Sequence, residues 1–188
     1  MNEKAEIRSL YKIKRQELSN TERLDLETLI RNSLFNHFNF SNKFIHTFIS
    51  IEKQLEVNTA LINQTLFGLN SKIATSITLF NPLELTHSII TKETRYILDK
   101  FHIPTPTKKI DVALNQLDFV LVPLLAFDKK GNRIGYGKGL YDSFLAECNP
   151  NCIKIGLSYF EATTSTIQSE EHDIPLDFCV TPNKIYSF

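Results

Sequence analysis

Residues 117–147, LDFVLVPLLAFDKKGNRIGYGKGLYDSFLAE, decide the fold of this chain. The opening run, LDFVLVPLLAF, is almost wholly apolar, which is typical of a strand buried on both faces of a parallel sheet. The closing run, GLYDSFLAE, places Leu140 four residues before Phe144 and Tyr141 four residues before Leu145, a spacing that predicts a helix. The stretch therefore predicts a strand, a glycine-rich loop and a helix in succession.

The loop between this strand and this helix suits an anion. Glycines at alternate positions let the backbone close, so that successive N–H groups can point at phosphate oxygens; they are Gly135, Gly137 and Gly139. Lys138 and Arg133 can neutralise phosphate charge. The spacing matches neither GxGxxG nor GxxxxGK[ST], and a turn that only connects a strand to a helix is the alternative interpretation of the glycines.

The pattern elsewhere alternates helices and strands. SNTE at 19–22 is a capping box, so a helix over residues 3–18 is followed by a second that runs to about Phe38. Asn58 is expected to cap a third helix and Gly68 to end it. Further strands are predicted at 44–51, 72–79, 152–159 and 178–181. The sum is an α/β sandwich with a largely parallel sheet, including a βαβ unit over residues 44–79.

Residues 81–107 have a less regular pattern. TKETRYILDKF at 91–101 predicts a helix, and IPTPT at 103–107 predicts an extended link stiffened by proline. The register of this part is not fixed by the sequence.

Composition is that of a small globular protein. The chain has 188 residues and is 42% hydrophobic, which is enough for one domain with a sizeable core. Its 21 basic and 21 acidic residues balance, so we expect no nucleic-acid partner, and any anion site must be built locally. We expect no membrane association and a cytoplasmic location, because no apolar run approaches the length of a membrane span or of a signal sequence. The three cysteines include no CxxC pair and are expected to be reduced thiols.

The block NRIGYGKGLYDSFL at 132–145 resembles the signature of the 5-formyltetrahydrofolate cyclo-ligase family, also called methenyltetrahydrofolate synthetases. Three other segments are similar to parts of that family, in the same order: KAEIRSLYKIKRQELSNTER at 4–23, LEVNTALI at 55–62 and EHDIPLDFCVT at 171–181. The resemblance implies a Rossmann-like three-layer α/β sandwich with a largely parallel central sheet, in a single domain over residues 1–188.

The resemblance also implies an activity. Members convert 5-formyltetrahydrofolate to 5,10-methenyltetrahydrofolate with ATP, which leaves as ADP and phosphate, and they use Mg²⁺. We expect this chain to do the same as a monomer. Two alternatives stay open: a folate- or nucleotide-binding module that has lost turnover, and an enzyme of similar fold that acts on a sugar phosphate or a CoA ester.

Site residues follow from the matching positions. ATP contacts are implied for Lys4, Arg8, Arg133, Gly135, Tyr136, Gly137, Lys138, Gly139, Leu140 and Tyr141. Folate contacts are implied for Ile51, Glu56, Tyr136, Gly137, Lys138, Gly139 and Leu140, with Glu56 accepting two N–H groups of the pterin in parallel. Arg133 and Lys138 are expected to stabilise charge during phosphoryl transfer, and Asp142 with Asp177 to hold Mg²⁺.

The first helix carries four cations on one face, spaced three and four residues apart: Lys4, Arg8, Lys12 and Arg15. Spacing alone favours a solvated stripe. The resemblance assigns ATP contacts to the first two, and we expect Lys12 and Arg15 to face solvent.

The chain departs from the family pattern at three places. Leu140 precedes Tyr141 where members commonly have two adjacent tyrosines, Thr105-Pro106 stands where Glu-Pro is expected, and TSITLFNPLELTH at 75–87 lacks the expected Pro-Arg. The first departure affects one aromatic wall of the expected folate pocket. The other two affect part of the expected contacts to phosphate or adenine.

Overall fold

The computed structural model describes residues 3–99 and 102–188, which form four α-helices and eleven strands. The helices are α1 Glu3–Glu17, α2 Asn20–His37, α3 Ala60–Gly68 and α4 Leu140–Ala146. The strands are β1 Phe44–Thr47, β2 Lys72–Phe80, β3 Leu83–Ile90, β4 Tyr96–Leu98, β5 Pro104–Pro106, β6 Phe119–Pro123, β7 Ala126–Phe127, β8 Arg133–Ile134, β9 Ile153–Leu157, β10 Phe178–Val180 and β11 Ile185–Ser187.

Seven strands form the central sheet, in the order β11-β10-β9-β6-β1-β2-β3. The inner five run parallel, and the two edge strands, β11 and β3, run antiparallel to their neighbours. All four residues of β1 are buried, as expected for a central parallel strand that is covered on both faces. The predicted α/β fold with a largely parallel sheet is confirmed.

Helices cover both faces of this sheet. Leu121 of β6 belongs to a core cluster with Ile30 and Leu34 of α2 and with residues of α3, whereas the next residue, Val122, belongs to a second cluster with Phe144 of α4. Successive side chains of a strand point to opposite faces, so these clusters are the two sides of one sheet. The sandwich has three layers.

Local signals in the first 80 residues predict the order of helices and strands correctly, although β1 ends at Thr47 and not at residue 51. The Ser19 hydroxyl accepts from the Glu22 N–H at 3.2 Å, and the Glu22 carboxylate accepts from the Ser19 N–H at 2.8 Å, which completes the capping box. The residue at the cap position of α3 is Thr59 and not Asn58, but the Asn58 side chain accepts from the Ala60 N–H at 2.9 Å. β1, α3 and β2 form the predicted βαβ unit, with β1 and β2 parallel.

The helix predicted over residues 91–101 is wrong in its described part. Thr91 and Thr94 each use a side-chain hydroxyl to accept a backbone N–H two or three residues away, which favours a turn over a helix. The following Tyr96–Leu98 pairs with Pro104–Pro106 as an antiparallel ribbon. Residues 100 and 101 lie outside the described part of the chain.

Two further expectations about strands need correction. The run at 117–127 is not one strand, because β6 ends at Pro123 and Ala126–Phe127 turns away to pair with Arg133–Ile134. The sequence pattern also does not predict β3, which extends the sheet beyond β2 over eight residues. No described helix is both long enough and apolar enough to span a lipid bilayer.

Candidate active site

A cleft of about 720 Å³ opens at the carboxyl ends of the parallel strands. Its floor includes Phe48 and Ile49, which follow β1, and Pro123, which ends β6. Ligands of open α/β sheets bind at this edge, because the strand ends leave a crevice that loops can line. One wall is the glycine segment, residues 135–139, and the facing apolar wall includes Leu83 and Leu85 of β3.

The glycine segment presents its backbone to the cleft. Within the described residues, no backbone N–H of residues 135–139 donates a hydrogen bond to another protein group. Gly137 and Gly139 have φ values of 85° and 66°, which a residue with a side chain rarely adopts. The segment is held from behind, where the Leu125 N–H donates to the Ile134 carbonyl at 2.7 Å. These amides are therefore available to an anion, as predicted from the glycine spacing.

Cations of α1 approach the same segment. Arg8 donates from Nε to the Gly135 carbonyl at 3.1 Å, and its guanidinium carbon lies 3.1 Å from the position that a Cβ on Gly137 would take. Two exposed lysines also line the cleft. Lys138 belongs to the glycine segment itself, and Lys12 of α1 lies over the Tyr136 ring. The expectation that Lys12 would face bulk solvent is only partly correct, because its exposed side chain borders the cleft.

Arg133 occupies a different position from Lys138. Its side chain is only 7% exposed and donates to Asp142 Oδ1 at 2.6 Å and to the Ile174 carbonyl. The guanidinium lines the cleft, but its charge is already shared with a carboxylate. Arg133 therefore fixes the start of α4 against the carboxy-terminal segment.

Two carboxylates, those of Asp142 and Asp173, line this part of the cleft. Asp142 Oδ1 accepts from the Ile174 N–H at 3.2 Å, and the residue before Ile174 is Asp173, which also lines the cleft. Asp173 Oδ2 accepts from Lys4 Nζ at 2.9 Å, and Lys4 reaches Glu170 at 3.2 Å. Burial opposes the charge on Lys4, but these two carboxylates outweigh it and raise its pKa. Burial likewise opposes the charge on Asp173, whereas the Glu170 N–H and Lys4 lower its pKa overall.

The structure does not bring Asp142 and Asp177 together, contrary to the prediction from sequence. Asp177 precedes β10 and binds Lys154, with 2.8 Å between the carboxylate and Nζ and 2.7 Å to the Lys154 N–H. Lys154 is the second residue of β9, so Asp177 lies toward the amino ends of the parallel strands, away from the cleft. Asp177 is 41% exposed and is absent from the described lining of the cleft. Of the two aspartates in this motif, Asp173 is the one that lines the cleft.

Glu56 lies deep in the other half of the cleft. The residue is 7% exposed, and its carboxylate accepts from the Ile51 N–H at 2.7 Å and is hydrogen-bonded to the Tyr136 hydroxyl. Burial raises the pKa of Glu56, while the Ile51 N–H, the Tyr136 hydroxyl and the charge of Arg15 act in the opposite direction. Ile51, Glu56 and Tyr136 all line the cleft, so the structure brings together the residues predicted for folate.

Arg15 does not face solvent, contrary to expectation. It is 2% exposed and donates to Tyr136 Oη and the Gln54 carbonyl, each at 3.1 Å, and to the Leu124 carbonyl at 2.5 Å. Helical spacing placed it on the same face as Lys4 and Arg8 but could not show that the end of α1 packs onto the cleft. No local signal distinguishes it from Lys12.

A polar cluster lies beneath α4. The Tyr141 side chain lines the cleft and is hydrogen-bonded to Ser76, whose hydroxyl lies 3.1 Å from His46 Nε2. His46 in turn lies 3.1 Å from His87 Nδ1, and Phe144 covers both imidazoles. Burial lowers the pKa of both histidines, that of His87 to about 4 with a contribution from Lys109. Sequence reasoning missed this cluster because its members come from four separate elements.

The carboxyl-edge cleft, the unpaired glycine amides and the surrounding cations place the chain among α/β proteins that bind anionic ligands at the end of a parallel sheet. Comparison with known proteins narrows this class. Residues 1–182 match the sequence profile of the 5-formyltetrahydrofolate cyclo-ligase family. The chain belongs to that family.

Individual relatives agree with this assignment. A protein of Mycoplasma genitalium named 5-formyltetrahydrofolate cyclo-ligase is 29% identical over 182 residues, which cover 95% of this chain and 99% of the relative. One of Haemophilus influenzae with the same name is 45% identical, but the match spans 64 residues and 34% of each chain. The solved structure of Aquifex aeolicus 5,10-methenyltetrahydrofolate synthetase superposes with a TM-score of 0.82 at 26% identity, over 98% of this chain and 92% of that one.

Proposed function

We propose that this chain catalyses the ATP-dependent conversion of 5-formyltetrahydrofolate to 5,10-methenyltetrahydrofolate, with release of ADP and phosphate. The observation that carries the proposal is that one cleft holds both the unpaired amides of residues 135–139 and the buried carboxylate of Glu56. The first suits a polyphosphate, and the second suits the row of N–H donors along a pterin edge. Family membership supports the same reaction.

The chemistry follows from the poor leaving group of an amide. Transfer of the terminal phosphoryl group of ATP to the formyl oxygen converts that oxygen to phosphate. N10 then attacks the formyl carbon and closes the five-membered ring. The C–O bond to phosphate breaks with its electron pair leaving on phosphate, and the proton of N10 passes to the departing phosphate or to water. Side chains need to move few protons, so catalysis rests on positioning and on stabilising phosphate charge. Lys138 and the glycine amides are placed for the second task, and Arg8 holds the segment from which they act.

The residues of the cleft fit a divalent cation. Asp142 receives both of its described hydrogen bonds on Oδ1, which leaves Oδ2 as a ligand, and Asp173 lies next to it through Ile174. Mg²⁺ commonly takes only one or two carboxylates and fills its other positions with water and phosphate oxygens. We therefore propose Asp142 and Asp173, rather than Asp177, as its protein ligands. Bound there, Mg²⁺ would neutralise charge on the phosphates of ATP.

The test mixes purified protein with 5-formyltetrahydrofolate, ATP and MgCl₂ and follows the near-ultraviolet absorbance of the methenyl product. We expect product that requires both ATP and Mg²⁺, with ADP formed in equal amount. Calorimetric binding of 5-formyltetrahydrofolate and ATP without product would identify a binding module instead. A chain that bound neither compound would remove the proposal and favour a different substrate class.

A further inference from the structure

Arg15 connects three parts of the cleft without touching its interior. One amine of its guanidinium donates to the Gln54 carbonyl, in the loop before Glu56, and to the Tyr136 hydroxyl, in the glycine segment, each at 3.1 Å. The other amine donates to the Leu124 carbonyl, directly after β6. Arg15 is not among the described residues that line the cleft. It thus ties α1 to the loop expected to bind folate and to the segment expected to bind phosphate.

The direction of these hydrogen bonds is fixed by chemistry. A guanidinium has only donors, so the Tyr136 oxygen accepts from Arg15. The single hydroxyl proton of Tyr136 is then directed to its other partner, the Glu56 carboxylate. Such a chain of polarised hydrogen bonds, from cation to hydroxyl to carboxylate, is stronger in a buried site than in water.

Burial of Arg15 costs stability, and packing alone does not account for an arginine at this position. The Nε–H of Arg15 is buried and has no hydrogen-bond partner among the described residues. A buried charge with an unmade hydrogen bond is destabilising, and an apolar side chain of similar volume is often tolerated better. The three contacts that Arg15 does make all shape the surroundings of Glu56 and Tyr136.

We propose that Arg15 is a positioning residue, which holds Tyr136 as a hydrogen-bond donor to Glu56 and so keeps Glu56 an ionised acceptor for the N–H edge of the pterin. The inference rests on the proposed function for the identity of the ligand. Arg15 itself contacts neither substrate. Its influence reaches the folate through Tyr136 and through the loop that carries Gln54 and Glu56.

Charged and polar groups from several elements surround Glu56. Arg15 of α1 is the cation that acts on it, and Tyr136 and Tyr141 bring hydroxyls from the glycine segment and α4. The Tyr159 hydroxyl donates to the Glu27 carboxylate at 2.5 Å and lies 3.0 Å from the Glu56 carbonyl oxygen. Burial of the carboxyl opposes its ionisation. The positive charge of Arg15 favours the ionised carboxylate. Removing Arg15 should therefore raise the pKa of Glu56.

The first experiment needs no substrate. Protein carrying ¹³C at glutamate side-chain carboxyls is titrated by NMR, with the Glu56 resonance identified by its loss in Glu56→Gln. We expect the pKa of Glu56 to rise by about one unit or more in Arg15→Met. In Arg15→Lys it should rise by less, because lysine keeps the charge but lacks the planar set of donors of a guanidinium. Arg31→Lys, on α2 and away from the cleft, is the matched control and should titrate as wild type. An unchanged Glu56 titration in Arg15→Met overturns the proposal; if that variant does not fold, Tyr136→Phe must raise the pKa instead, and no change there overturns it.

The second experiment measures turnover. In Arg15→Lys we expect kcat/KM for 5-formyltetrahydrofolate to fall about tenfold or more, since hydrogen bonds from a charged donor are lost. We expect a smaller effect on the KM for ATP, within about twofold, because Arg15 contacts only the Tyr136 side chain of the glycine segment, whose backbone is held by Arg8. The acidic limb of the pH profile of kcat/KM should move to higher pH, because Glu56 must be ionised to accept the N–H groups of the pterin.

A purely structural role for Arg15 predicts something else. It would lower the melting temperature of Arg15→Lys while leaving the folate kcat/KM and the acid limb at wild-type values, and that result overturns the proposal. A wild-type protein that makes no methenyl product defeats the proposed function but leaves the NMR titration to decide the role of Arg15. The two failures are therefore distinguishable.

Discussion

Arg133 and Asp142 form an ion pair of 2.6 Å at the start of α4, and both side chains line the cleft. The sequence suggested that Arg133 would meet phosphate and that Asp142 would meet a cation. Each instead neutralises the other where phosphate and cation would bind. The pair orders this wall of the cleft and brings the backbone of Ile174 against Asp142.

Asp142→Asn should abolish formation of the methenyl product while the far-ultraviolet circular dichroism stays that of the folded chain. The amide keeps the size of the side chain but loses the charge that holds Arg133 and that would bind a cation, so we expect kcat to fall about a hundredfold or more. The absorbance assay with 5-formyltetrahydrofolate, ATP and MgCl₂ measures kcat.

Asp177→Asn is the matched control. Its carboxylate pairs with Lys154 toward the opposite edge of the sheet, so we expect kcat within about twofold of wild type. An inactive but folded Asp177→Asn protein would restore the pairing of Asp142 with Asp177 predicted from sequence. An active Asp142→Asn protein would remove Asp142 from both assignments of the metal site.

Gly137→Ala should weaken ATP binding. The residue has φ of 85°, and a Cβ there would lie 3.1 Å from the Arg8 guanidinium, so the segment must shift or Arg8 must leave the Gly135 carbonyl. The left-handed conformation alone costs an alanine about 1–2 kcal/mol. We expect the KM for ATP to rise about tenfold, measured at saturating folate.

Gly68→Ala tests whether any added methyl group has this effect. Gly68 is the last residue of α3, and a Cβ on it would meet no atom within 4 Å. It also lies outside the cleft lining described above. We expect unchanged kinetics and a gain in stability of about 0.5–1 kcal/mol, because alanine favours the helix. Equal ATP KM values in the two variants would contradict the role given to the glycine segment.

Glu56→Gln should lower folate affinity with little change in that for ATP. The amide removes the charge that accepts pterin N–H groups and places an NH₂ donor beside the Ile51 N–H. Hydrogen bonds to a charged group are worth about 1.5–3 kcal/mol, so 5-formyltetrahydrofolate binding should weaken about tenfold to a hundredfold by calorimetry. Unchanged folate binding would show that the pterin lies elsewhere.

Stability should fall as the pH is lowered from about 6.5 toward 4. Burial and Lys109 depress the pKa of His87 to about 4, against an ordinary value of 6.5, so the unfolded chain binds a proton in this window that the folded chain does not. The free energy of unfolding then drops with falling pH, by about 2 kcal/mol from this group at pH 5. Urea unfolding at pH 7 and pH 5 measures the loss.

His87→Gln is the informative variant for this prediction. It removes one titrating imidazole of the buried pair while keeping a polar side chain near His46 and Ser76. We expect a smaller difference in stability between pH 7 and pH 5 than in wild type. An equal or larger difference would assign the acid sensitivity to other groups.

Strong local patterns in the sequence were sufficient for the central fold. The apolar run before Asp128, the glycines after it and the capping box at Ser19 each specify structure over a few residues, so the parallel sheet and the glycine cleft could be predicted. β3 could not, because its pairing with β2 is a hairpin of partly exposed residues with weak alternation.

The errors in the site share a cause. Asp173 and Asp177 lie in one short motif, and only the path of the chain from the cleft to β10 decides which of them reaches the ligand side. Arg15 and Lys12 likewise lie on one helical face, and tertiary packing buries only the first. Position within a motif identified the region, but the three-dimensional contacts decided the residues.

The ion pair between Lys4 and Asp173 gives the cleft an internal counter-ion. If Asp173 ligates Mg²⁺, arrival of the nucleotide with its metal exchanges partners: the carboxylate turns to the metal and the ammonium to phosphate. An exchange of this kind frees few bulk ions, so the contribution of Lys4 to ATP affinity should depend only weakly on salt concentration, unlike that of the exposed Lys138.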